Sequence, residues 1–373
     1  MKKFREYLTI TLFSAVLLST LTAYIIVPDN NVSYAERREL AEFPPLTAET
    51  VLSHEFSQLL EGYFLDQSPL REKFRYMNTF VRMQMLAQND VNGIYKENGY
   101  LFKNDKPLDL KQVEYGKKII NKVINKYMGD MNVYYSIIPE KGYFSQKSSA
   151  KLDYDGLLKA METGLGDATY IDIFDTLSLE DYYRTDTHWM QEKLHDTVER
   201  LTSAMGKESG NIQYEEKSIE NFDGVYLSQS AFGDVEPDTL KYLTNSALEN
   251  AKVSGIPADV LKSKFGSEDT LTKKVYATEK FEGIDGYDVF LSGAQPIVTV
   301  ELSEGNGKEL VIFRDSFASS IAPLMLGAYQ KVTLVDLRYV MSDLIGDYVD
   351  FTSGQDALFL YSASMLNSSM LMK

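Results

Sequence analysis

The chain has 373 residues, of which 44% are hydrophobic and 25% charged, and its formal net charge is −16 at pH 7. A chain of this length and composition folds into one or two globular domains with sizeable cores. A surface this acidic repels nucleic acid and anionic lipid, so we expect neutral or cationic partners and no nucleic acid.

Cysteine is absent, and histidine occurs only at His54, His188 and His195. The lack of cysteine excludes disulfides, thiol catalysis, iron–sulfur clusters and thiolate zinc sites. With so few histidines we also expect no metal site and no cofactor. An enzyme made from this sequence would work with hydroxyl, carboxylate and imidazole groups.

The N-terminus combines a basic start, residues 1–5, with an uncharged apolar run from Tyr7 to Val27. As a helix such a run is about 30 Å long, which matches the thickness of a hydrocarbon core. Basic residues before the run favour a cytoplasmic N-terminus. We therefore predict that residues 1–28 are a single-pass anchor in the cell membrane and that the remaining chain is extracytoplasmic.

A cleaved signal peptide is the alternative for this segment. A cut after Ala23 places Leu21 three residues before the cleavage point, where a small residue is needed. A cut after Ala35 lies far from the apolar run. The uncleaved anchor is therefore the preferred interpretation.

Residues 29–105 are predicted to be a connector that ends in a hairpin. Apolar residues recur at spacings of three and four between about residues 47 and 88, which indicates helix. Residues 93–102 alternate around a central Asn98-Gly99 pair, which is typical of a β-hairpin.

Residues 106–373 show apolar strands that alternate with helices, which predicts an α/β domain with a parallel sheet flanked by helices. A segment at about 211–295 breaks this pattern with short strand-like pieces and is predicted to be a β-rich insertion. The predicted helices are 110–128, 154–165, 191–205 and one after Ser316; the predicted strands are 131–139, 168–175, 296–302, 309–313, 331–337 and 357–363. Ligands of such sheets bind at the carboxyl ends of the strands.

Ser316 is the candidate nucleophile. It follows the predicted strand 309–313 and precedes a helix, so its hydroxyl projects above the sheet edge. Backbone N–H groups at the start of the helix can face a developing oxyanion. Because Pro323 does not suit a helix interior, we expect the regular helix to begin near Ser319 or Ser320. A simple Asx or Ser cap is the competing interpretation.

Asp186 and His188 are the complementary candidates. An aspartate two residues before a histidine can accept the Nδ1–H and leave Nε2 free to take a proton from a serine. A loop histidine packed against Trp189 is the alternative. The two strand-end motifs supply complementary members of one catalytic triad, a nucleophile and its base. Together they favour a serine hydrolase or acyltransferase.

These motifs resemble those of the SGNH-like O-acetyltransferases of exopolysaccharide modification, which include the alginate O-acetylation proteins and the Gram-positive DHHW proteins. The likeness extends over much of the chain. The segments that carry it are 36-ERRELAEFPPL-46, 60-LEGYFLDQSPLREKF-74, 99-GYLF-102, 183-YRTDTHW-189, 310-LVIFRDSF-317 and 334-LVDLRY-339.

The resemblance implies an SGNH-hydrolase-like fold and a triad of Ser316 as nucleophile, His188 as base and acid, and Asp186 as its orienting group. Further candidates for substrate or oxyanion contacts stand at strand ends or in the motifs: Arg338, Tyr361, Arg314, Lys141 and Trp189. Trp189 has two open interpretations, as a packing residue or as a sugar contact.

Two positions depart from the family pattern. Thr187 replaces the second residue of Asp-His-His-Trp, so His188 is the only candidate base in the motif. Arg314 replaces the glycine of Gly-Asp-Ser in ordinary SGNH enzymes. A side chain at that position can alter the turn or reach into the cleft.

Three functions are compatible with the sequence. The first is an extracytoplasmic O-acetyltransferase that acetylates a cell-surface or secreted polysaccharide. The second is an acetylesterase with the same triad and water as acceptor. The third is a non-catalytic polysaccharide-binding or scaffold protein. The resemblance also implies a membrane-bound O-acyltransferase as the partner that supplies acetyl groups.

Overall fold

The structure is a computed structural model that describes residues 2–33, 36–147, 151–208, 210, 212–256 and 273–373. Its contacts divide the chain into two compact units. We call Met1–Asn92 with Ser228–Asp234 the helical unit, and Gly93–Leu227 with Val235–Lys373 the α/β unit.

The helical unit begins with α1 (Lys2–Ile26), which is apolar and has no buried part. Within the described residues, α1 is the one helix with the length and hydropathy needed to cross a membrane. Downstream elements are a two-residue ladder of β1 (Val32–Ser33) and β2 (Arg38–Glu39), then α2 (Ala48–Leu52), α3 (Glu55–Asp66), α4 (Arg71–Phe80) and a π-helical turn (Val81–Met85).

The helical pattern between residues 47 and 88 is thus divided into short helices. His54 and Leu70, with φ values of 61° and 62°, introduce the breaks before α3 and α4. Left-handed backbone at a non-glycine residue does not continue a right-handed helix. Thr47 caps the start of α2, where its side chain accepts from the Thr50 N–H.

The α/β unit starts with the predicted hairpin, formed by β3 (Ile94–Glu97) and β4 (Tyr100–Lys103). The sequence grouped this hairpin with the connector, but its contacts are with the α/β unit. Leu101 is fully buried, and its N–H donates to the Arg184 carbonyl at 2.8 Å. The division after Asn92 therefore precedes the boundary expected near residue 105.

A seven-stranded sheet forms the centre of the α/β unit, in the order β6-β5-β13-β11-β12-β10-β9. β6, β5, β13, β11 and β12 are parallel, whereas β10 is antiparallel to both of its neighbours. The bounds are β5 (Asn132–Ile138), β6 (Thr169–Tyr170), β7 (Glu215–Phe222), β8 (Asp238–Thr244), β9 (Lys252–Gly255), β10 (Ile297–Glu301), β11 (Glu309–Arg314), β12 (Lys331–Val335) and β13 (Asp356–Ser362).

The helices of the unit are α5 (Leu110–Tyr127), α6 (Tyr154–Met161), α7 (His195–Ala204), α8 (Val225–Ser230, which ends in the helical unit), α9 (Ser246–Glu249), α10 (Ala318–Met325) and α11 (Ala363–Leu366). The four helices that the sequence predicted for this unit are present with shorter bounds, as α5, α6, α7 and α10, and three short helices were not predicted. The fold class, a mostly parallel sheet flanked by helices with an N-terminal apolar helix, is confirmed.

Two details of the predicted sheet are wrong. The predicted strand 168–175 is reduced to β6, because the chain leaves the sheet into a 3-10 turn at Phe174–Thr176. The predicted insertion at 211–295 contains the separate hairpin β7–β8, but its third strand, β9, extends the edge of the central sheet. Residues 257–272 of the insertion lie outside the described residues.

Alternation along the buried strands divides the core between the two faces of the sheet. In β11, Leu310 and Ile312 pack in one cluster with α7 and α10, and Val311 and Phe313 pack in the other with α5 and α6. All four are 2% exposed or less. Parallel strands covered on both faces place their carboxyl ends along one edge, where the chain segments after β5, β11, β12 and β13 meet.

Candidate active site

Ser316 stands in a tight turn between β11 and α10. Asp315 holds this turn: one carboxylate oxygen accepts from the Phe317 N–H at 3.1 Å, and the other accepts from the Ser362 N–H at 2.8 Å at the end of β13. The regular helix begins at Ala318, within two residues of the expected start, and contains Pro323. Among the described residues the Ser316 N–H has no acceptor. It is therefore free to donate to a ligand.

Asp186 and His188 lie on a loop that returns to the same edge of the sheet. Asp186 is fully buried, and its Oδ1 accepts from both the Nδ1 and the backbone N–H of His188, at 2.6 and 3.0 Å. Its Oδ2 accepts from the Val225 N–H at 2.7 Å. A carboxylate acceptor at Nδ1 fixes the tautomer in which Nε2 has a lone pair.

The two motifs meet across 128 residues of chain. His188 Nε2 lies 2.8 Å from Ser316 Oγ, within hydrogen-bond distance. His188 is 6% exposed and Ser316 is partly buried. Asp186, His188 and Ser316 thus form one continuous hydrogen-bonded chain, in the order that activation of a serine hydroxyl requires.

Asp238, on β8, fastens the loop before Asp186. Its carboxylate accepts from the Thr185 hydroxyl at 2.5 Å and from the Thr185 and Arg184 N–H groups at 2.7 and 3.1 Å. Gly224 approaches this loop so closely that a Cβ there would lie 2.3 Å from the Thr185 carbonyl carbon. Only glycine allows that approach, which in turn places the Val225 N–H against Asp186.

Lys141 holds the same loop from the end of β5. It is 1% exposed, and its Nζ donates to the carbonyls of Tyr183, Arg184 and Asp186 at 2.8, 3.2 and 2.6 Å. Burial lowers the pKa of this ammonium group to about 7. Lys141 therefore contacts the backbone that carries Asp186 and does not line an open cleft.

The ring of His188 is packed on both sides. Tyr287 stacks on it with ring centroids 3.8 Å apart and planes 5° apart, and Phe317 lies 4.9 Å away in a tilted contact. The Tyr287 hydroxyl donates to Ser320 Oγ at 2.8 Å. Packing of this kind restricts the imidazole to one orientation.

Trp189 is fully buried, and its indole N–H is shared between the Phe317 carbonyl at 3.0 Å and Ser320 Oγ at 2.9 Å. Of the two interpretations left open by the sequence, the structure favours packing. The indole joins the histidine loop to the first turn of α10, and so fixes the separation of His188 and Ser316.

Arg314 is fully buried, and none of its hydrogen bonds within the described residues is to Ser316. Its guanidinium donates to the Ser319 hydroxyl at 2.8 Å and to the carbonyls of Gly293 and Gln295 at 3.2 and 3.4 Å. The expectation that it reaches into the cleft is therefore not met. Leu291 and Ser292 have φ values of 54° and 62°, which are unfavourable for residues with a Cβ, and Gly293 follows with 79°. The bond from Arg314 to the Gly293 carbonyl helps to hold this segment.

The two remaining candidates lie at strand ends, as predicted. Arg338 follows β12 and forms an ion pair with Asp336 at 2.6 Å, which raises its pKa despite partial burial. Tyr361, the penultimate residue of β13, is 2% exposed, and its hydroxyl has no hydrogen-bond partner among the described residues. Among the described residues neither side chain is hydrogen-bonded to Ser316 or His188, so their involvement stays a prediction.

His195 lies on the surface at the start of α7, beside the exposed carboxylates of Asp196 and Glu199. These groups are close enough to share a cation, but solvent-exposed acidic clusters of this kind are common on protein surfaces. We assign no metal to them.

Sequence reasoning missed Tyr287, Asp238 and Gly224. All three lie in or beside the predicted insertion, far from both motifs in the sequence. Periodicity does not mark them, since their importance comes from tertiary contacts with the histidine loop. Gly224 within 222-FDGVY-226 was visible as a turn signal, but its close approach to the Thr185 backbone was not.

No protein-family profile and no curated protein matches the chain in sequence. Solved structures do match in fold. A DHHW family protein from Eubacterium siraeum DSM 15702 aligns with 76% of this chain and 95% of its own, at 20% identity and a TM-score of 0.59.

PatB1 from Bacillus cereus also aligns with 76% of this chain. In the structure with a sulfonyl adduct, 98% of the PatB1 chain aligns, at 18% identity and a TM-score of 0.58. In a second PatB1 structure, 99% of the chain aligns, at 16% identity and a TM-score of 0.54. The chain therefore shares its fold with a DHHW family protein and with PatB1, as the resemblance in its motifs predicted.

Proposed function

We propose that the protein is an extracytoplasmic O-acetyltransferase that moves acetyl groups to hydroxyls of a cell-surface or secreted polysaccharide. The observation that carries the proposal is the hydrogen-bonded chain from Asp186 through His188 Nδ1 and Nε2 to Ser316 Oγ. The family resemblance of the motifs around these residues supports the choice of an acetyl group and a polysaccharide acceptor.

The first half-reaction acylates the serine. His188 Nε2 takes the hydroxyl proton as Ser316 Oγ attacks the acetyl carbonyl, and the Ser316 N–H faces the oxygen that becomes negative. The tetrahedral intermediate expels the alcohol or thiol of the donor, which takes the proton from His188. Asp186 stabilises the transient imidazolium through the 2.6 Å contact to Nδ1.

The second half-reaction regenerates the serine. His188 accepts a proton from the sugar hydroxyl as its oxygen attacks the acetyl-serine carbonyl. Collapse of this intermediate releases the acetylated sugar, and the proton returns to Ser316 Oγ. Water in place of the sugar gives free acetate, which is the esterase alternative; the same residues act in both.

The donor and the location follow from the same proposal. The resemblance implies that a membrane-bound O-acyltransferase supplies the acetyl group, and α1 would hold this chain in the same membrane and raise the effective concentration of the two proteins. The N-terminus is then cytoplasmic and the α/β unit extracytoplasmic.

A non-catalytic binding role is the third candidate, and it would be favoured if Arg314, in place of the glycine of ordinary SGNH enzymes, disturbed the site. This guanidinium is buried and donates to Ser319 and Gly293, whereas the Ser316 hydroxyl is bonded to His188. The arrangement favours an enzyme.

The experiment is hydrolysis of a chromogenic acetyl ester by the detergent-solubilised full chain, with and without an added oligosaccharide. Ser316→Ala should abolish ester cleavage, whereas Ser303→Ala, at an exposed loop serine, should leave it unchanged. Acetylated oligosaccharide identifies a transferase and free acetate alone an esterase. Cleavage that survives Ser316→Ala would overturn the proposal.

A further inference from the structure

The helical unit presents large apolar side chains to solvent around a groove. Leu65 on α3 is 65% exposed and Phe74 on α4 is 52% exposed. Together with Leu60, Phe64 and Tyr24 they line a groove of about 710 Å³. Soluble surfaces seldom collect apolar side chains in this way unless a partner or a membrane covers them.

The groove is built directly on the end of α1. Tyr24, in the last turn of α1, packs edge-on against Phe64 with ring centroids 5.2 Å apart, and its hydroxyl donates to the Phe64 carbonyl at 2.6 Å. Tyr24 precedes the end of α1 by two residues, or about 3 Å along the helix axis. Phe64 therefore lies at the depth of the last turn of the apolar helix.

The residues after α1 fasten this arrangement. The Tyr63 hydroxyl donates to the Asp29 carboxylate at 3.0 Å. Gln67 bonds the Asn30 backbone in both directions, since its Oε1 accepts from the N–H at 3.0 Å and its Nε2 donates to the carbonyl at 2.9 Å. The connection between α1 and α3 is thus a structured junction, and α3 stays where α1 ends.

Three charged residues also line the groove, Glu61, Arg71 and Arg75, and both arginines are paired with carboxylates. Arg71 lies 2.7 Å from Glu36, and Arg75 lies 2.9 Å from Glu36 and 2.7 Å from Glu72. The described lining of the groove therefore offers apolar and aromatic surface and no unpaired cation for an anionic headgroup. Aromatic side chains flanking an apolar helix are typical of the boundary between hydrocarbon and water.

We propose that α3 and α4 lie in the interfacial layer of the membrane that α1 spans, with lipid chains filling the groove between Tyr24, Leu65 and Phe74. The proposal rests on α1 being the membrane anchor. The continuity of the groove with α1 is what favours lipid as its occupant over a second copy of the chain or another protein. The contact would be apolar, because the acidic chain gains nothing from anionic headgroups.

The test uses the absence of cysteine, which makes every introduced cysteine a unique labelling site. The full chain carrying Leu65→Cys or Phe74→Cys is labelled with an environment-sensitive dye and reconstituted into phosphatidylcholine vesicles. Quenching by lipids with a spin label on the acyl chain then reports contact with hydrocarbon. Leu12→Cys, within α1, reports insertion of the anchor, and the exposed Glu304→Cys gives the reference for a solvated site.

We expect quenching at positions 65 and 74 to approach the value at position 12. It should exceed the value at position 304 several-fold. Quenching at position 12 with none above reference at 65 and 74 would overturn the proposal while leaving the anchor intact. The absence of quenching at position 12 would overturn the anchor as well. Oxidative dimers through Leu65→Cys in place of lipid quenching would assign the groove to a second copy. None of these results depends on the proposed acetyl transfer.

Discussion

The two units of this chain use apolar residues in opposite ways. In the helical unit, Leu52, Leu65 and Met85 are between 65% and 80% exposed, whereas Ile312 and Leu358 in the sheet of the α/β unit are fully buried. Burial on both faces of a sheet supplies the rigid base that a hydrogen-bonded chain of three side chains needs. Soluble surfaces seldom collect exposed apolar side chains unless a partner or a membrane covers them. We therefore propose that the α/β unit carries out the chemistry and that the helical unit contacts the membrane.

We expect the largest effect from removing the negative charge of Asp186, which accepts from His188 Nδ1. Asp186→Asn keeps the shape of the side chain but presents an amide to the histidine Nδ1, which disfavours the tautomer that can accept a proton from Ser316. We expect ester cleavage to fall by about 10⁴-fold. A matched change at a surface aspartate, Asp153→Asn, should have little effect on the rate. A rate within tenfold of the wild type would show that the Asp186 contact does not support the reaction.

Paired alanine substitutions test the contrast between the units. Ile312→Ala removes fully buried methylenes and should lower the free energy of unfolding of the α/β unit by about 2–5 kcal/mol, whereas Leu65→Ala should change it by less than about 0.5 kcal/mol. The single tryptophan, Trp189, is buried in the α/β unit, so its fluorescence reports unfolding of that unit. Equal costs for the two substitutions would contradict the contrast.

A buried carboxyl next to Lys141 makes stability depend on pH. Burial raises the pKa of Glu140 from 4.5 to about 7. Because the folded-state pKa is the higher one, the stabilising contribution is complete below about pH 4.5 and is lost as the pH rises through about 7. Glu140→Gln should remove this loss. Relative to the wild type, the variant should gain up to about 3 kcal/mol between about pH 4.5 and pH 8, measured by denaturant unfolding with Trp189 fluorescence.

If the free energies of unfolding of wild type and Glu140→Gln were both independent of pH in this range, Glu140 would titrate as an exposed carboxyl. A rise in stability above about pH 7 would point to the neighbouring ammonium group, since burial lowers the pKa of Lys141 to about 7 and its penalty is relieved only as the pH rises beyond that value.

The smallest expected effect concerns the ring stacked on His188. Tyr287→Leu removes an aromatic contact of about 0.5–1.5 kcal/mol and should lower kcat/KM for an acetyl ester by about 2–10-fold. Tyr287→Phe keeps the stack and loses only the bond to Ser320, so it should retain more activity than Tyr287→Leu. If the two variants were equally impaired, the stack would not be what positions His188.

The fold class was predictable because its signals are local. Near-continuous apolar runs such as 309–313 mark buried parallel strands, and their spacing leaves room for the covering helices. The antiparallel direction of β10 was not predictable, because a short apolar strand pairs in either direction and tertiary context decides. The two halves of the site were predictable from residue chemistry at strand ends. Tyr287, Asp238 and the Gly224 approach were not, since each acts through contacts with residues tens of positions away.

The central claim is that Ser316 is the nucleophile that carries an acyl group. The most direct measurement is peptide mapping by mass spectrometry after brief exposure of the full chain to a chromogenic acetyl ester, quenched in acid. We predict one acetyl group on the peptide that contains Ser316, formed at a rate that falls about 10⁴-fold in Asp186→Asn. Acetyl release with no acetylated Ser316 peptide at any time, and an unchanged rate in Ser316→Ala, would contradict it.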